Sequence, residues 1–111
     1  MPILNADYSN LDHIEMAMEI GLKAKHMPML ISSFIEESAS VMEKLRNSIE
    51  LKDFDNIRAY AHSLKGSTGN LKLNELYEMA KEIEISAMES KSDFDYDGYY
   101  QAMYSAILTI K

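Results

Sequence analysis

His62 is the side chain in this sequence best placed to do chemistry. On a helix, residues three, four and seven positions away share its face. For His62 these are Arg58, Lys65, Gly66 and Gly69. Residues 56–74 hold no Asp or Glu, although the chain has 18 acidic residues, and they carry Arg58, Lys65 and Lys72. A locally positive face on an acidic protein suits an anion. Glycine inside a helix costs roughly 1 kcal/mol relative to alanine, so two on one face need a reason. Close approach of another molecule to bare backbone is such a reason. A neutral imidazole is a good nucleophile, and an ordinary histidine is largely neutral near pH 7. Neighbouring cations would hold a phosphoryl group, once attached, through charge-assisted hydrogen bonds. The constellation reads as an accessible phosphoryl acceptor. The competing reading is a solvated helix face with Gly66 as a C-cap.

The elements around this face can be read from apolar spacing. Phe54, Ile57, Ala61, Leu64, Thr68 and Leu71 recur every three or four residues, a heptad-like seam, behind Asp53 as N-cap. The seam runs past Gly66, which argues against a helix stop there. His62 lies off the seam and points outward. A long helix precedes it, with Pro28 in its first turn and Leu30, Ile31, Phe34, Ile35, Val41, Met42, Leu45 and Ile49 inward. A short helix, from about Asn10 or Leu11 to Ile20, comes first, with Leu11, Ile14 and Ala17 or Met18 inward and Gly21 as its stop. Asn74 is the expected N-cap of a fourth helix with Leu73, Leu76, Ala80, Ile83 and Ala87 in phase. Residues 90–93 form a loop. The last helix runs from about Phe94 or Asp97 to Ile110, with Tyr99, Tyr100, Met103, Ala106, Ile107 and Ile110 inward. Short connections make neighbours antiparallel. The expected fold is all-α: an up-and-down antiparallel four-helix bundle with a short additional N-terminal helix, one domain over residues 1–111.

Composition narrows the function. The 111 residues carry 11 basic and 18 acidic groups, a net charge of −7, which disfavours nucleic acid and anionic lipid as partners. With no cysteine, disulfides, thiolate metal sites and cysteine nucleophiles are excluded. No apolar run reaches the ~20 residues of a membrane span, and the N-terminus does not resemble a signal peptide, so a cytoplasmic location is expected. A metal-binding bundle would use Glu-x-x-His pairs, and His13, His26 and His62 follow Asn10, Lys23 and Ala59 at that spacing. His13 and His26 have no supporting constellation. The nine methionines are expected to fill gaps in the core.

Ala61-His62-Ser63-Leu64-Lys65-Gly66-Ser67-Thr68-Gly69-Asn70-Leu71 resembles the signature of histidine-containing phosphotransfer (HPt) domains, roughly A-H-x-L-K-G-S-x-x-x-L. Residues 34–55 resemble the family's preceding helix and acidic turn. Leu76, Ala80, Ile83 and Glu84 resemble its next helix, and the likeness covers residues 10–108. The resemblance implies a helical bundle that shuttles a phosphoryl group between aspartates of receiver domains, in response regulators or hybrid histidine kinases. It implies that His62 is phosphorylated, that Lys65 meets the phosphoryl group, that Gly66 leaves room for the receiver, and that Ser67 supports the site by hydrogen bonding. Arg58 joins them from helix geometry alone. The expected protein is a phosphocarrier and not an enzyme, since no nucleotide motif occurs. It needs no cofactor of its own, Mg²⁺ being expected on the receiver. Ile14 and Met18 are candidate contacts for that partner.

The sequence departs from the family pattern at Lys72, where a glycine is common. Asn70 is then the expected left-handed residue at the helix exit. One phosphoacceptor histidine per domain gives no need for a dimer, so a monomer is expected. The start at methionine and the short tail suggest a free-standing relay protein. The alternatives are a non-catalytic helical adaptor of the same fold, or a domain excised from a hybrid histidine kinase.

Overall fold

A computed structural model of the protein describes residues 1–110. Five α-helices follow one another: α1 (His13–Ile20), α2 (Met27–Glu50), α3 (Phe54–Asn70), α4 (Asn74–Met88) and α5 (Tyr96–Leu108), with a 3₁₀ turn at Ala24–His26 before α2. There is no strand among the described residues. Helix α3 packs between α2 and α4, and α5 closes against both α2 and α4. The result is a helical bundle 43 Å long and about 20 Å across, its length set by the 24 residues of α2.

Local chemistry explains where the helices begin. The Asp12 carboxylate accepts from the amides of Ile14 and Glu15 at 3.0 and 3.1 Å, and Asp53 accepts from Asn56 at 3.3 Å. Asp95 accepts from the Gly98 amide at 2.9 Å. A Cβ at Gly98 would fall 2.1 Å from Asp95 Oδ2, so this cap requires the glycine. Helix α5 therefore starts at Tyr96, between the two expected positions. Asn74 does not cap α4. It is the first helical residue, and Leu73 stands at the cap position with no side chain to offer. The hydroxyl of Tyr8 does the capping instead. It accepts from the Leu76 amide at 3.2 Å and donates to Glu75 Oε1 at 2.8 Å. The Tyr8 amide is held by Thr109 Oγ1 at 2.8 Å, so the N-terminal segment ties α4 to the end of α5.

Helices α1 to α4 all end in the same doubly bonded turn, in which one residue adopts a left-handed conformation. Those residues are Gly21, Lys52, Lys72 and Ser90, with φ of 77°, 52°, 59° and 51°. Only the first is the glycine such turns prefer. At α3 the bonds run from Lys72 to the Gly69 carbonyl and from Leu73 to the Thr68 carbonyl, at 3.2 and 3.0 Å. Lys72 itself, and not Asn70, takes the strained backbone.

The seams meet in one core. Met27, Leu45, Ile57, Leu64, Leu73, Leu76, Met79, Ile83 and Met103 are fully buried. Met16, Met27, Met42, Met79 and Met103 lie in the core, while Met18, Met29 and Met88 are exposed. Two expectations about facing are corrected. Ile35 is 37% exposed, because Phe34 and Ser38 occupy the buried stripe of α2. Ile14 and Met18 do not line the core of α1; Met16 and Ala17 do. Ile110 is buried beyond the last turn of α5 rather than within it.

Candidate functional site

His62 stands near the middle of α3, one position past buried Ala61, with 69% of its side chain exposed. Helix α4 returns alongside α3 in the opposite direction: Glu84 reaches His62 and, further along, Tyr77 covers Gly69. This register sets the imidazole beside a carboxylate.

Glu84 Oε2 lies 2.5 Å from His62 Nδ1, and Glu84 Oε1 lies 2.7 Å from Lys65 Nζ. The Glu84 side chain is only 9% exposed. Burial pushes its carboxyl up, but hydrogen bonds from Lys65 and then from His62 pull further, and the group rests below the usual carboxylate range. The same bond from Glu84 holds the Lys65 ammonium above its usual range against partial desolvation. An ionised carboxylate can only accept, so the hydrogen it shares with the ring belongs to Nδ1. In the neutral ring the lone pair is then on Nε2, on the edge turned away from Glu84. The site is an exposed ring whose tautomer is fixed from behind, with its free lone pair on the outer nitrogen.

The other expected residues divide. Arg58 lies on the His62 face and lines an open depression with Asp55, Ala59, His62 and Glu84. Gly66 is inside α3 and not a cap, and a Cβ there would meet nothing within 4 Å. No internal packing demands that glycine. Gly69 is different, since a Cβ would sit 3.1 and 3.3 Å from Tyr77 ring carbons. It makes room for Tyr77 and not for a visitor. The Ser67 hydroxyl donates to the Ser63 and Leu64 carbonyls of its own helix, both at 3.3 Å, and does not reach the ring. Ile14 and Met18 of α1 are 66% and 77% exposed.

Glu84 is the residue that spacing alone did not single out as functional. The signal was present: it lies four residues after Ala80 and three before Ala87, in the phase of the α4 seam. An acid at a core position must find a cation or a donor. Which donor depends on how α3 and α4 are aligned.

Among the described residues, no group of three or more His, Asp or Glu side chains is arranged to hold a metal ion, and no helix is long and apolar enough to cross a membrane. No curated protein and no solved structure gave a match. A family model described as the Hpt domain does match, over residues 29–108. That span takes in all of α3 and α4, and with them the exposed histidine, its lysine and its glycine. The chain belongs to the Hpt domain family.

Proposed function

We propose that this Hpt domain is a phosphocarrier of a phosphorelay, in which His62 takes a phosphoryl group from an aspartate of one receiver domain and passes it to another. The observation that carries the reading is the exposed His62 ring with Nδ1 held by Glu84 at 2.5 Å, which leaves Nε2 as the nucleophile. The Nε2 lone pair attacks phosphorus in line. The P–N bond forms as the P–O bond to the aspartate breaks, and the carboxylate leaves. No proton need move: Nδ1 keeps its hydrogen, and the positive charge gained by the ring faces the Glu84 carboxylate. Read backwards, the same step loads the next receiver. Mg²⁺ and the acidic residues that bind it belong to the receiver.

The arrangement of the chain supports the reading. Helices α3 and α4 run antiparallel, and α3 presents His62 on an open flank of the bundle. Gly66, one turn beyond His62, leaves a gap: a Cβ there would meet none of the described residues within 4 Å. The module works as a monomer in the cytoplasm, with receiver domains as its partners and without nucleotide chemistry of its own.

The test is transfer from a phosphorylated receiver domain, with Mg²⁺, to the protein and to His62→Gln. Acid-labile, base-stable phosphate is expected on the first and not on the second. Equal label on both would move the site elsewhere. No label from any receiver of the host would favour a helical adaptor.

A further inference from the structure

Two cations share the face of His62, and they are not in the same state. Lys65 is committed: its ammonium is bound to Glu84 at 2.7 Å, and only 27% of its side chain is exposed. Arg58 is exposed and has no ion pair among the described residues. It lies four residues before His62, which on a helix sets the two Cβ atoms roughly 6 Å apart on one face. Both side chains line the same open depression of about 500 Å³, with Asp55, Ala59 and Glu84.

Each wall of that depression has a distinct character. Ala59 offers no charge. Glu84 is already answered by Lys65 and His62. Asp55 sits in the first turn of α3, where the helix terminus favours a negative charge. Arg58 is therefore the one uncommitted cation in the wall. A guanidinium presents paired N–H donors that match two oxygens of a phosphoryl group, which an ammonium cannot do.

We infer that the two cations divide the work: Arg58 binds the phosphoryl oxygens on His62 Nε2, whereas Lys65 acts through Glu84 as a positioning residue for the ring. The inference rests on phosphorylation of His62. It assigns to Arg58 the contact that the family likeness gives to Lys65.

The two roles leave different traces. His62 would be loaded by two routes: from a phosphorylated receiver, and from phosphoramidate, which gives up its phosphoryl group with loss of ammonia as the P–N bond to Nε2 forms. In Arg58→Gln, the phosphohistidine is expected to hydrolyse about three- to tenfold faster, as the loss of one exposed charge-assisted contact allows. Its ³¹P resonance should shift, while the ¹⁵N pattern of the free ring stays that of an Nδ1–H tautomer. Arg58→Lys should recover part of the lifetime. Lys65→Met should do the reverse, disturbing the ¹⁵N pattern of the free ring more than the lifetime of the phosphorylated one. Circular dichroism would verify that each variant is folded.

An Arg58→Gln phosphohistidine with the wild-type lifetime and ³¹P shift would overturn the inference and leave the relay reading intact. Loading by phosphoramidate alone, with the Arg58 effects present, would support the inference and defeat the relay reading. If neither route loads His62, both fall.

Discussion

The two oxygens of Glu84 serve two different cations or donors, Oε2 meeting His62 Nδ1 at 2.5 Å and Oε1 meeting Lys65 Nζ at 2.7 Å. One buried carboxylate thus fixes the ring and anchors the lysine. Removing it should show in both. Glu84→Gln is expected to slow phosphoryl transfer to His62 about tenfold, the scale of one lost charge-assisted hydrogen bond. ¹⁵N spectra should show the ring redistributing between its tautomers. An unchanged tautomer with an unchanged rate would deny Glu84 any role.

The same triad makes stability depend on pH at both extremes. The Glu84 carboxyl is held below its ordinary 4.5, so its contribution is present above that value and is lost as the pH falls through the lowered pKa. The Lys65 ammonium is held above its ordinary 10.5, so its contribution is full below that value and is lost as the pH rises through the raised one. Denaturant melts of wild type and Glu84→Gln should therefore differ near neutrality and converge in acid. A constant gap down to the acid limit would contradict the sign.

Gly66→Ala separates stability from function. The new methyl would meet nothing within 4 Å. The free protein should gain about 0.5–1 kcal/mol from the better helix former. Transfer from the receiver is expected to slow nonetheless, because the methyl would stand on the surface proposed to meet the partner. A variant both more stable and equally fast would remove Gly66 from the docking surface.

Lys72→Gly should stabilise the protein by about 1 kcal/mol, because a left-handed backbone costs a side chain that much. The φ of 59° at this residue is the reason. The turn lies well beyond His62 on α3, so the transfer rate should not change. Thermal melts and the transfer assay, run side by side, would check both halves.

Tyr8→Phe leaves the Leu76 amide and Glu75 without the hydroxyl that joins them. A loss of about 1–2 kcal/mol is expected, the cost of a missing helix cap. Faster amide exchange at Leu76 would locate the damage at the start of α4. Exchange confined to another helix would refute the capping role.

What could be read in advance follows from physics that acts along the chain. His62, Lys65 and Gly66 share one helix, so spacing alone set them on one face. Asp53 acts on an amide three residues on, and its type marks the start of α3; apolar spacing set the starts of α1 and α5 to within a few residues, and there Asp12 and Asp95 supply the caps. Three of the misreadings are long-range. Asn74 was a good cap by type, but Tyr8, remote in sequence, holds that end of α4. Gly69 shared the face of His62, yet its purpose is set by Tyr77 on the next helix. Glu84 belongs to His62 only once α3 and α4 are aligned. Lys72 was suspect by type, and the doubly bonded turn imposed the left-handed backbone on it.

The link between α3 and α4 is only three residues long, residues 71–73. Its consequence concerns the order of assembly. His62 and Glu84 are 22 residues apart, whereas Tyr8 must find Glu75 across 67. Closing the short loop costs less chain entropy than closing the long one. Loop-closure entropy therefore favours bringing the exposed histidine and its carboxylate together within a single hairpin, ahead of the docking of the N-terminal segment.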